Sequence, residues 1–299
     1  MTRKVILDTD IGGDIDDALA LALLLNSPEI ELRGITVCYR DVLRRAALAC
    51  YQTQVWEKSG IPVAVGCEAP ILGHWDPSHR ALQADVIPKE FVFSPQPQHA
   101  VHFLIDQVMK SDEKITLCAI GPLTNIALAL LIEPRISQKA ELILMGGMIG
   151  EMRPARPEWN ILCDPEAAQI VFSSDIPLKM VGLDVTESCQ FSQKHLDLIR
   201  DTGNIRTHFL HQLLLIFRQY FAFLPYLHDP LTAACCIWPD VLHFEKRQVQ
   251  IETKGQYSRG MTLDCSSFFH DKPEGRRVEV AVSVRKDLFL ERLMERILK

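Results

Sequence analysis

Short apolar runs rich in β-branched residues alternate with helical patterns along this chain, and this alternation constrains the fold more than any other feature. Strands that alternate with helices form βαβ units, in which parallel strands share one sheet and helices cover its faces. The strands predicted in this region are Val5–Leu7, Leu32–Val37, Pro62–Val65, Ile115–Ala119, Leu142–Met145 and Leu178–Val181. We therefore predict an α/β fold with a mainly parallel, Rossmann-like open sheet and an active site at the carboxyl ends of the strands.

Helical periodicity fills the intervals between these strands, and the last third of the chain has a different order of elements. The predicted helices are Ala18–Asn26, Val42–Ser59, His99–Met109, Asn125–Ile132, Pro165–Phe172, Ile205–Phe223, Pro230–Ile237 and a last one from Leu288. Two further strands are predicted at Val249–Thr253 and Val278–Val284, and the Pro-rich stretch Ile71–Gln98 is predicted as a long loop. No linker interrupts the chain, so residues 1–299 are predicted to form a single domain.

The composition argues against several classes of partner. The 299 residues are 47% hydrophobic, which is enough for a large core, and their net charge of −6 does not suit nucleic-acid binding. Apolar stretches such as Ala18–Leu25 are shorter than the ~20 residues that span a bilayer, and no apolar signal region precedes the first strand. Nine cysteines without CxxC spacing are predicted to be reduced thiols. We expect a cytoplasmic protein that binds neither nucleic acid nor membranes.

A cluster of carboxylates follows the first predicted strand and is bracketed by apolar runs. Its members are Asp8, Asp10, Asp14, Asp16 and Asp17. Carboxylates crowded at a sheet edge repel one another, and their pKa values rise unless a cation neutralises them. Gly12 and Gly13 give the backbone the freedom to turn the two halves of the segment toward one point. Helix capping explains one or two aspartates rather than five, so the cluster predicts a site for a hard cation such as Ca²⁺ or Mg²⁺.

This acidic segment resembles the signature of the nucleoside hydrolases, usually seen as DxDxGxDD, in a longer version found in some bacterial members. The resemblance implies that Asp10 and Asp17 bind Ca²⁺ and that Asp10 also accepts a proton from the attacking water. It further implies that Asp16 binds ribose hydroxyls and that Asp8 supports the site, while Asp14 has no assigned role.

Two later segments match the same family. Ile120–Asn125 resembles its GPLTN turn, and by that match the backbone carbonyl of Ile120 binds the calcium ion. Glu158–Ala168 resembles the segment EFNxxxDPEAA, which implies that Glu158 and Asn160 hold the sugar. Trp159 replaces the usual phenylalanine and is a candidate for stacking on the base, while Asp164 and Pro165 are predicted to start a helix.

A third match involves His228-Asp229-Pro230, which resembles the HDP motif of the family. The resemblance makes Asp229 a calcium ligand that also touches the ribose, and His228 a candidate acid that protonates the departing base. Asp41 stands in a further sugar-contact segment where many relatives carry asparagine. Separate motifs that agree in order are more specific than any one of them.

The chain departs from the family pattern in two places. Arg153 lies where relatives place an asparagine near the ribose 5′ end. An arginine at this position either favours a phosphorylated or otherwise anionic substrate or points into solvent. The loop with His74, Trp75 and His79 lacks the His-Gly pattern common in the family lid. The preferred base therefore stays open between pyrimidines, purines and others.

The resemblance implies calcium-dependent hydrolysis of ribonucleosides to ribose and free base, by a homodimer or homotetramer. Two alternatives stay open. Asp8-Thr9-Asp10 also resembles the nucleophile motif of haloacid-dehalogenase-like phosphatases, which would make the chain a Mg²⁺-dependent phosphohydrolase but leaves Glu158 and His228 without a role. A relative that binds nucleosides or ribose and has lost turnover would keep the same metal ligands.

Overall fold

All six strands predicted from the alternation are present, and three more follow them. The strands are β1 (Arg3–Thr9), β2 (Ile30–Val37), β3 (Val63–Val65), β4 (Ile115–Ala119), β5 (Ala140–Met145), β6 (Leu178–Val181), β7 (Leu242–Ile251), β8 (Thr262–Asp264) and β9 (Arg276–Val284). The computed structural model describes residues 2–73, 76, 78–150, 156–266 and 276–299. Within these ranges the nine strands lie in one sheet.

The strand order places the segment after β1 at the centre of the sheet. The order is β3-β2-β1-β4-β5-β6-β9-β7-β8, with parallel pairing from β3 through β9 and antiparallel pairing of β7 with both of its neighbours. The chain moves from β1 to β2 and β3 on one side, then returns to β4 on the other side of β1. Such a switch point opens a crevice at the carboxyl ends of the strands. The predicted α/β fold is confirmed, and the acidic segment lies in this crevice.

Helices cover both faces of the sheet. They are α1 (Asp16–Leu25), α2 (Val42–Val55), α3 (Ala100–Met109), α4 (Thr124–Ile132), α5 (Ile136–Lys139), α6 (Trp159–Cys163), α7 (Pro165–Ser173), α8 (Leu183–Thr186), α9 (Gln193–Thr202), α10 (Ile205–Tyr220), α11 (His228–Ile237) and α12 (Lys286–Ile297). One apolar core contains residues of α1, α10 and α11, and the other contains residues of α3, α4 and α7. Every residue of α1 is buried, and after Asp16 and Asp17 its sequence is apolar on all sides, as expected for a helix enclosed by the core. Among the helices in the described ranges, none combines the length and apolarity needed to cross a membrane.

Short elements account for most differences from the predicted structure. Four helices, α5, α6, α8 and α9, were not predicted; three of them have only four or five residues, too few to establish a helical period. The predicted loop Ile71–Gln98 contains a 3₁₀ helix at Leu82–Val86. Helix α2 ends at Val55 rather than Ser59, because Glu57 adopts a left-handed conformation with φ of 58°. All nine cysteines are free and six are buried, as predicted.

Candidate active site

A cavity of about 800 Å³ opens at the carboxyl ends of the central strands. The loops after β1, β2, β4, β5 and β6 contribute to its walls, together with the start of α11. The predicted site residues in its lining are Asp10, Asp16, Asp17, Ile120, Glu158, Trp159, Asn160, His228 and Asp229. The fold therefore gathers residues from distant parts of the sequence around one space.

Three buried aspartates form a tight cluster of carboxylates in this cavity. Asp16, Asp17 and Asp229 each bring one carboxylate oxygen within 4.8 Å of the other two. Burial, followed by repulsion from neighbouring aspartates, raises the pKa of all three well above its usual value. Their buried oxygens suit a hard divalent cation, which would neutralise the repulsion.

Helix capping does not account for the aspartates that open α1. The N-cap residue of α1 is Ile15, and no side-chain hydrogen bond caps the helix. Thr9 Oγ1 instead donates to Asp17 Oδ1 at 2.5 Å, and the backbone N–H of Asp229 donates to Asp16 Oδ2 at 3.3 Å. These contacts hold Asp17 against the end of β1 and Asp16 against the start of α11, rather than on the free N–H groups of their own helix.

Asp10 lines the same cavity but stands outside the group of three. Its Oδ2 lies 3.9 Å from Arg45 Nη2, and burial raises the pKa of Asp10 while Arg45 partly opposes that rise. A Cβ atom at Gly121, in the turn after β4, would lie 2.8 Å from Asp10 Oδ1, so the close approach of the two loops requires glycine. The carbonyl oxygen of Ile120 accepts a hydrogen bond from Asn160 Nδ2 at 2.9 Å and keeps a second lone pair. The metal-binding roles of Asp10 and Ile120 stay predictions.

Asp8 lies behind the cluster and is fully buried. Its Oδ1 accepts hydrogen bonds from Thr36 Oγ1 at 2.5 Å and Asn125 Nδ2 at 2.8 Å, while Oδ2 has no partner. Burial raises the pKa of Asp8 to about 7. Asn125 also accepts from Cys67 N and donates to the Val37 carbonyl, so the amide, which lies after β4, links the ends of β1 and β2 to the loop after β3. The sequence showed Asn125 only as part of a turn, because these partners are distant along the chain.

Glu158 and Asn160 are held rigidly at the start of α6. Glu158 caps this helix: its Oε1 accepts from Asn160 N at 2.9 Å, and its Oε2 accepts from Ile161 N at 3.2 Å and Gly147 N at 3.1 Å. Asn160 Nδ2 bridges the carbonyls of Ile120 and Met145. Because both side chains are fixed before any ligand binds, they are suited to position a sugar.

We expect Glu158→Ala to lower the free energy of unfolding by about 2 kcal/mol, because it removes the cap and leaves buried N–H groups without an acceptor. Thermal denaturation of Glu158→Ala beside the exposed control Glu90→Ala measures this effect. Equal melting temperatures for the two variants would contradict the assignment of Glu158 as the cap.

His228 lies at the end of the cavity nearest β6, within an aromatic group. Its Nδ1 is 2.7 Å from Thr186 Oγ1, and its ring stacks on Tyr226 with centroids 5.6 Å apart. Burial, with a smaller contribution from Arg156, lowers the pKa of His228 to about 4. The ring is therefore neutral at pH 7, and it offers an N–H hydrogen bond rather than an excess proton. Trp159, which is 56% exposed, lines the same cavity.

The sequence analysis missed the arginines that line the cavity. Arg45 is buried and donates to the carbonyls of Tyr39 at 2.7 Å and Ile11 at 2.9 Å, and Arg156 pairs with Glu187. Arg40 lines the cavity from the loop after β2. In the sequence Arg45 is one polar residue in an amphipathic helix pattern, and the contacts that bury it are visible only in the fold.

Two predicted features lie away from the cavity or beyond the described residues. Asp41 stands beside the cavity, where its Oδ2 accepts from Ala81 N at 3.1 Å and lies 3.4 Å from Arg44 Nε. Its sugar contact stays a prediction. Arg153, His74 and Trp75 lie outside the described residues, whereas His79 is in the cavity wall. Asp164 caps α7 by accepting from Ala167 N, which confirms the predicted helix start.

Comparisons with known proteins agree with this arrangement. The sequence model of a family described as inosine-uridine preferring nucleoside hydrolase matches residues 5–291. A pyrimidine-specific ribonucleoside hydrolase, RihA, from Enterobacter sp. (strain 638) is 36% identical over 322 residues, covering 99% of this chain and 98% of that protein. The solved structure of a plant nucleoside hydrolase, PpNRh1, has a TM-score of 0.90 and 26% identity, covering 100% of this chain and 99% of that one. A purine-preferring ribonucleoside hydrolase from Gardnerella vaginalis has a TM-score of 0.87 and 29% identity, covering 99% and 98%.

Proposed function

The chain belongs to the inosine-uridine preferring nucleoside hydrolase family, and we propose that it hydrolyses the N-glycosidic bond of ribonucleosides, releasing ribose and free base, with a calcium ion in its acidic cavity. The observation that carries this proposal is the convergence of Asp16, Asp17 and Asp229 in the crevice at the switch point of the sheet. The rigid pair Glu158 and Asn160 in the same cavity supports a sugar as the ligand.

The proposed metal ligands are Asp10, Asp17, Asp229 and the carbonyl of Ile120. Three of these ligands are aspartate carboxylates, and burial raises the pKa of each. Neutralisation of their negative charge by a cation is therefore favourable. A bound calcium ion supplies positive charge that lowers the pKa of a neighbouring water molecule. The oxygen-only ligand set is the chemistry that Ca²⁺ prefers.

Other side chains of the cavity accept the proton of water, hold the ribose and contact the leaving base. Asp10 accepts the proton of the attacking water, since its carboxylate faces the cavity and burial favours proton uptake. Cleavage passes through an oxocarbenium-like sugar, and Asp16, Asp229 and Glu158 hold its hydroxyls and stabilise its positive charge. His228 donates a hydrogen bond to the leaving base, and Trp159 stacks on that base.

A panel of ribonucleosides with and without a calcium chelator tests the proposal, with reducing sugar as the readout. Pyrimidine nucleosides come first, because a pyrimidine-specific relative is 36% identical, followed by purine and nicotinamide ribosides. We expect sugar release that stops with the chelator and returns with added calcium. Mg²⁺-dependent phosphate release from phosphomonoesters, or nucleoside binding without release of base, would contradict the proposal and favour one of the two alternatives.

We also propose a cytoplasmic homodimer or homotetramer, by likeness to the family and by the prevalence of symmetric assemblies. Light scattering coupled to size-exclusion chromatography measures the mass of the particle against the 33.9 kDa of one chain. A monomer at micromolar concentration would contradict it.

A further inference from the structure

The hydroxyl group of Thr186 is enclosed by the protein and has a single partner. Thr186 is the last residue of α8 and is completely buried. Its Oγ1 lies 2.7 Å from His228 Nδ1, and this hydroxyl has no other hydrogen-bond partner among the residues that the structure describes. A buried hydroxyl whose hydrogen has no acceptor costs about 1–3 kcal/mol, so the hydrogen of Thr186 points at the histidine ring.

The direction of this hydrogen bond decides which nitrogen of His228 carries hydrogen. A neutral imidazole has one N–H donor and one acceptor nitrogen. Because Thr186 donates to Nδ1, this nitrogen offers its lone pair, and the ring hydrogen lies on Nε2. A doubly protonated ring would leave the buried hydroxyl without an acceptor, so the geometry favours the neutral ring. The partner of one ring nitrogen thereby fixes the role of the other.

Backbone hydrogen bonds hold the hydroxyl and the ring next to each other. Leu227 N, one residue before the histidine, donates to the Cys189 carbonyl at 2.9 Å. Cys189 N in turn donates to the Thr186 carbonyl at 2.9 Å, so the end of α8 is tied to the start of α11. The ring of His228 also stacks on Tyr226, with an angle of 23° between the two planes. The orientation of the ring is therefore fixed before a ligand binds.

The second nitrogen of the ring is available to a ligand. His228 lines the cavity, and within the described ranges its Nε2 has no hydrogen-bond partner. Nδ1 and Nε2 lie on opposite sides of an imidazole, so a ring held at Nδ1 presents Nε2 on the side away from α8. Arg156, which lines the same cavity, is paired with Glu187. The Nε2–H group is thus an uncharged donor that a ligand in the cavity can reach.

We propose that Thr186 is a positioning residue that keeps the hydrogen of His228 on Nε2, so that the ring donates a hydrogen bond to the leaving base and keeps its proton. This inference rests on the proposed function and names a residue that acts in it through His228. The bond from C1′ to the base nitrogen breaks with its electron pair leaving on the base. Water adds its oxygen to C1′ and gives a proton to Asp10, and the base takes up one proton from solvent. The hydrogen bond from Nε2 stabilises the negative charge that develops on the base.

Thr186→Val tests the proposal, because valine fills the same buried space and lacks the hydroxyl. The readout is kcat/KM for the best nucleoside of the panel and for p-nitrophenyl riboside, whose nitrophenolate leaves without help from a hydrogen-bond donor. We expect a loss of about 10-fold for the nucleoside, as for one hydrogen bond, and a much smaller loss for the nitrophenyl riboside.

Two further variants separate the hydroxyl from general effects of substitution. Thr186→Ser keeps a hydroxyl and should recover most of the nucleoside activity that Thr186→Val loses. Thr202→Val is the matched control, because Thr202 is exposed in α9 and donates to the Leu198 carbonyl at 2.7 Å. It should keep the wild-type values for both substrates.

Nitrogen NMR of histidine-labelled protein, at pH 8 with calcium, gives a readout that does not need turnover. The signals that disappear in His228→Gln belong to this ring. We expect a proton on Nε2 and, at Nδ1, the chemical shift of a lone pair that accepts a hydrogen bond, which Thr186→Val should lose. A wild-type ring with its proton on Nδ1, or with protons on both nitrogens, would overturn the inference even if Thr186→Val did not fold.

The kinetic outcomes distinguish this inference from the proposed function. Equal losses for the nucleoside and the nitrophenyl riboside in Thr186→Val, or no loss for either, would overturn the inference while the proposed function stands. If the wild type cleaves neither substrate, the proposed function fails. The NMR signals then decide whether Thr186 sets the position of the ring hydrogen.

Discussion

Replacing Asp10 with alanine is expected to reduce the turnover of ribonucleosides by at least about 10³-fold, because one substitution removes both the proton acceptor and a metal ligand. Asp10 lies in the cavity wall, 3.9 Å from the Arg45 guanidinium and against Gly121, so its carboxylate has a fixed position. Asp10→Asn keeps the shape of the side chain and removes its basicity. We expect it to lose nearly as much turnover as Asp10→Ala while keeping more of the stability.

Steady-state kinetics at saturating calcium, with melting temperatures measured alongside, separate these contributions. Asp112→Asn is the control, because Asp112 is exposed in the turn before β4, away from the crevice. A folded Asp10→Ala variant with turnover close to wild type would contradict the role of Asp10. Calcium stabilisation retained by Asp10→Asn, combined with lost turnover, would restrict its role to proton transfer.

The arrangement of the sheet follows from local features of the sequence. Runs such as Ile115–Ala119 are fully buried strands, and their alternation with helices leaves parallel pairing with crossover helices as the simplest arrangement. The acidic segment could be placed at the carboxyl end of β1 because its first residues continue a buried strand. What local features could not reveal is the short helix α6, where Glu158 acts as a cap: five residues carry no helical period.

The arginines show the limit of motif reasoning at the site. Arg40 and Arg45 belong to no motif, and their importance lies in contacts with Tyr39, Ile11 and the cavity itself. A left-handed conformation at a non-glycine residue leaves little trace in the sequence, because hydrogen bonds to a distant loop impose it. Motifs identified the carboxylates. The positive charge of the arginines that face them depends instead on how the loops after β1 and β2 pack together.

Without a divalent cation, the protein is expected to lose stability as pH rises from about 4 to above 7, and saturating calcium is expected to restore part of that stability. Burial raises the pKa of Asp14 to about 6, and raises those of Asp16, Asp17 and Asp229 well above the ordinary value of 3.8. Between these values the folded state binds more protons than the unfolded state, so the free energy of unfolding falls with rising pH. Calcium at 100 times its Kd adds about 2.7 kcal/mol, or a shift of roughly 5 °C in the melting temperature.

Asp229→Asn separates charge repulsion from metal binding in one protein. The amide keeps the shape of the side chain and removes one of three buried charges, so at pH 8 the metal-free variant should melt at a higher temperature than the metal-free wild type. The same variant should show little calcium stabilisation and lose at least about 10²-fold in turnover, since the ligand that closes the cluster from α11 is gone. Asp112→Asn, which changes charge by the same amount at the surface, should keep both the pH dependence and the calcium response of wild type. If Asp229→Asn matches wild type in both its metal-free melting temperature and its calcium stabilisation, the carboxylates neither repel one another nor share a cation. The metal site is then placed wrongly.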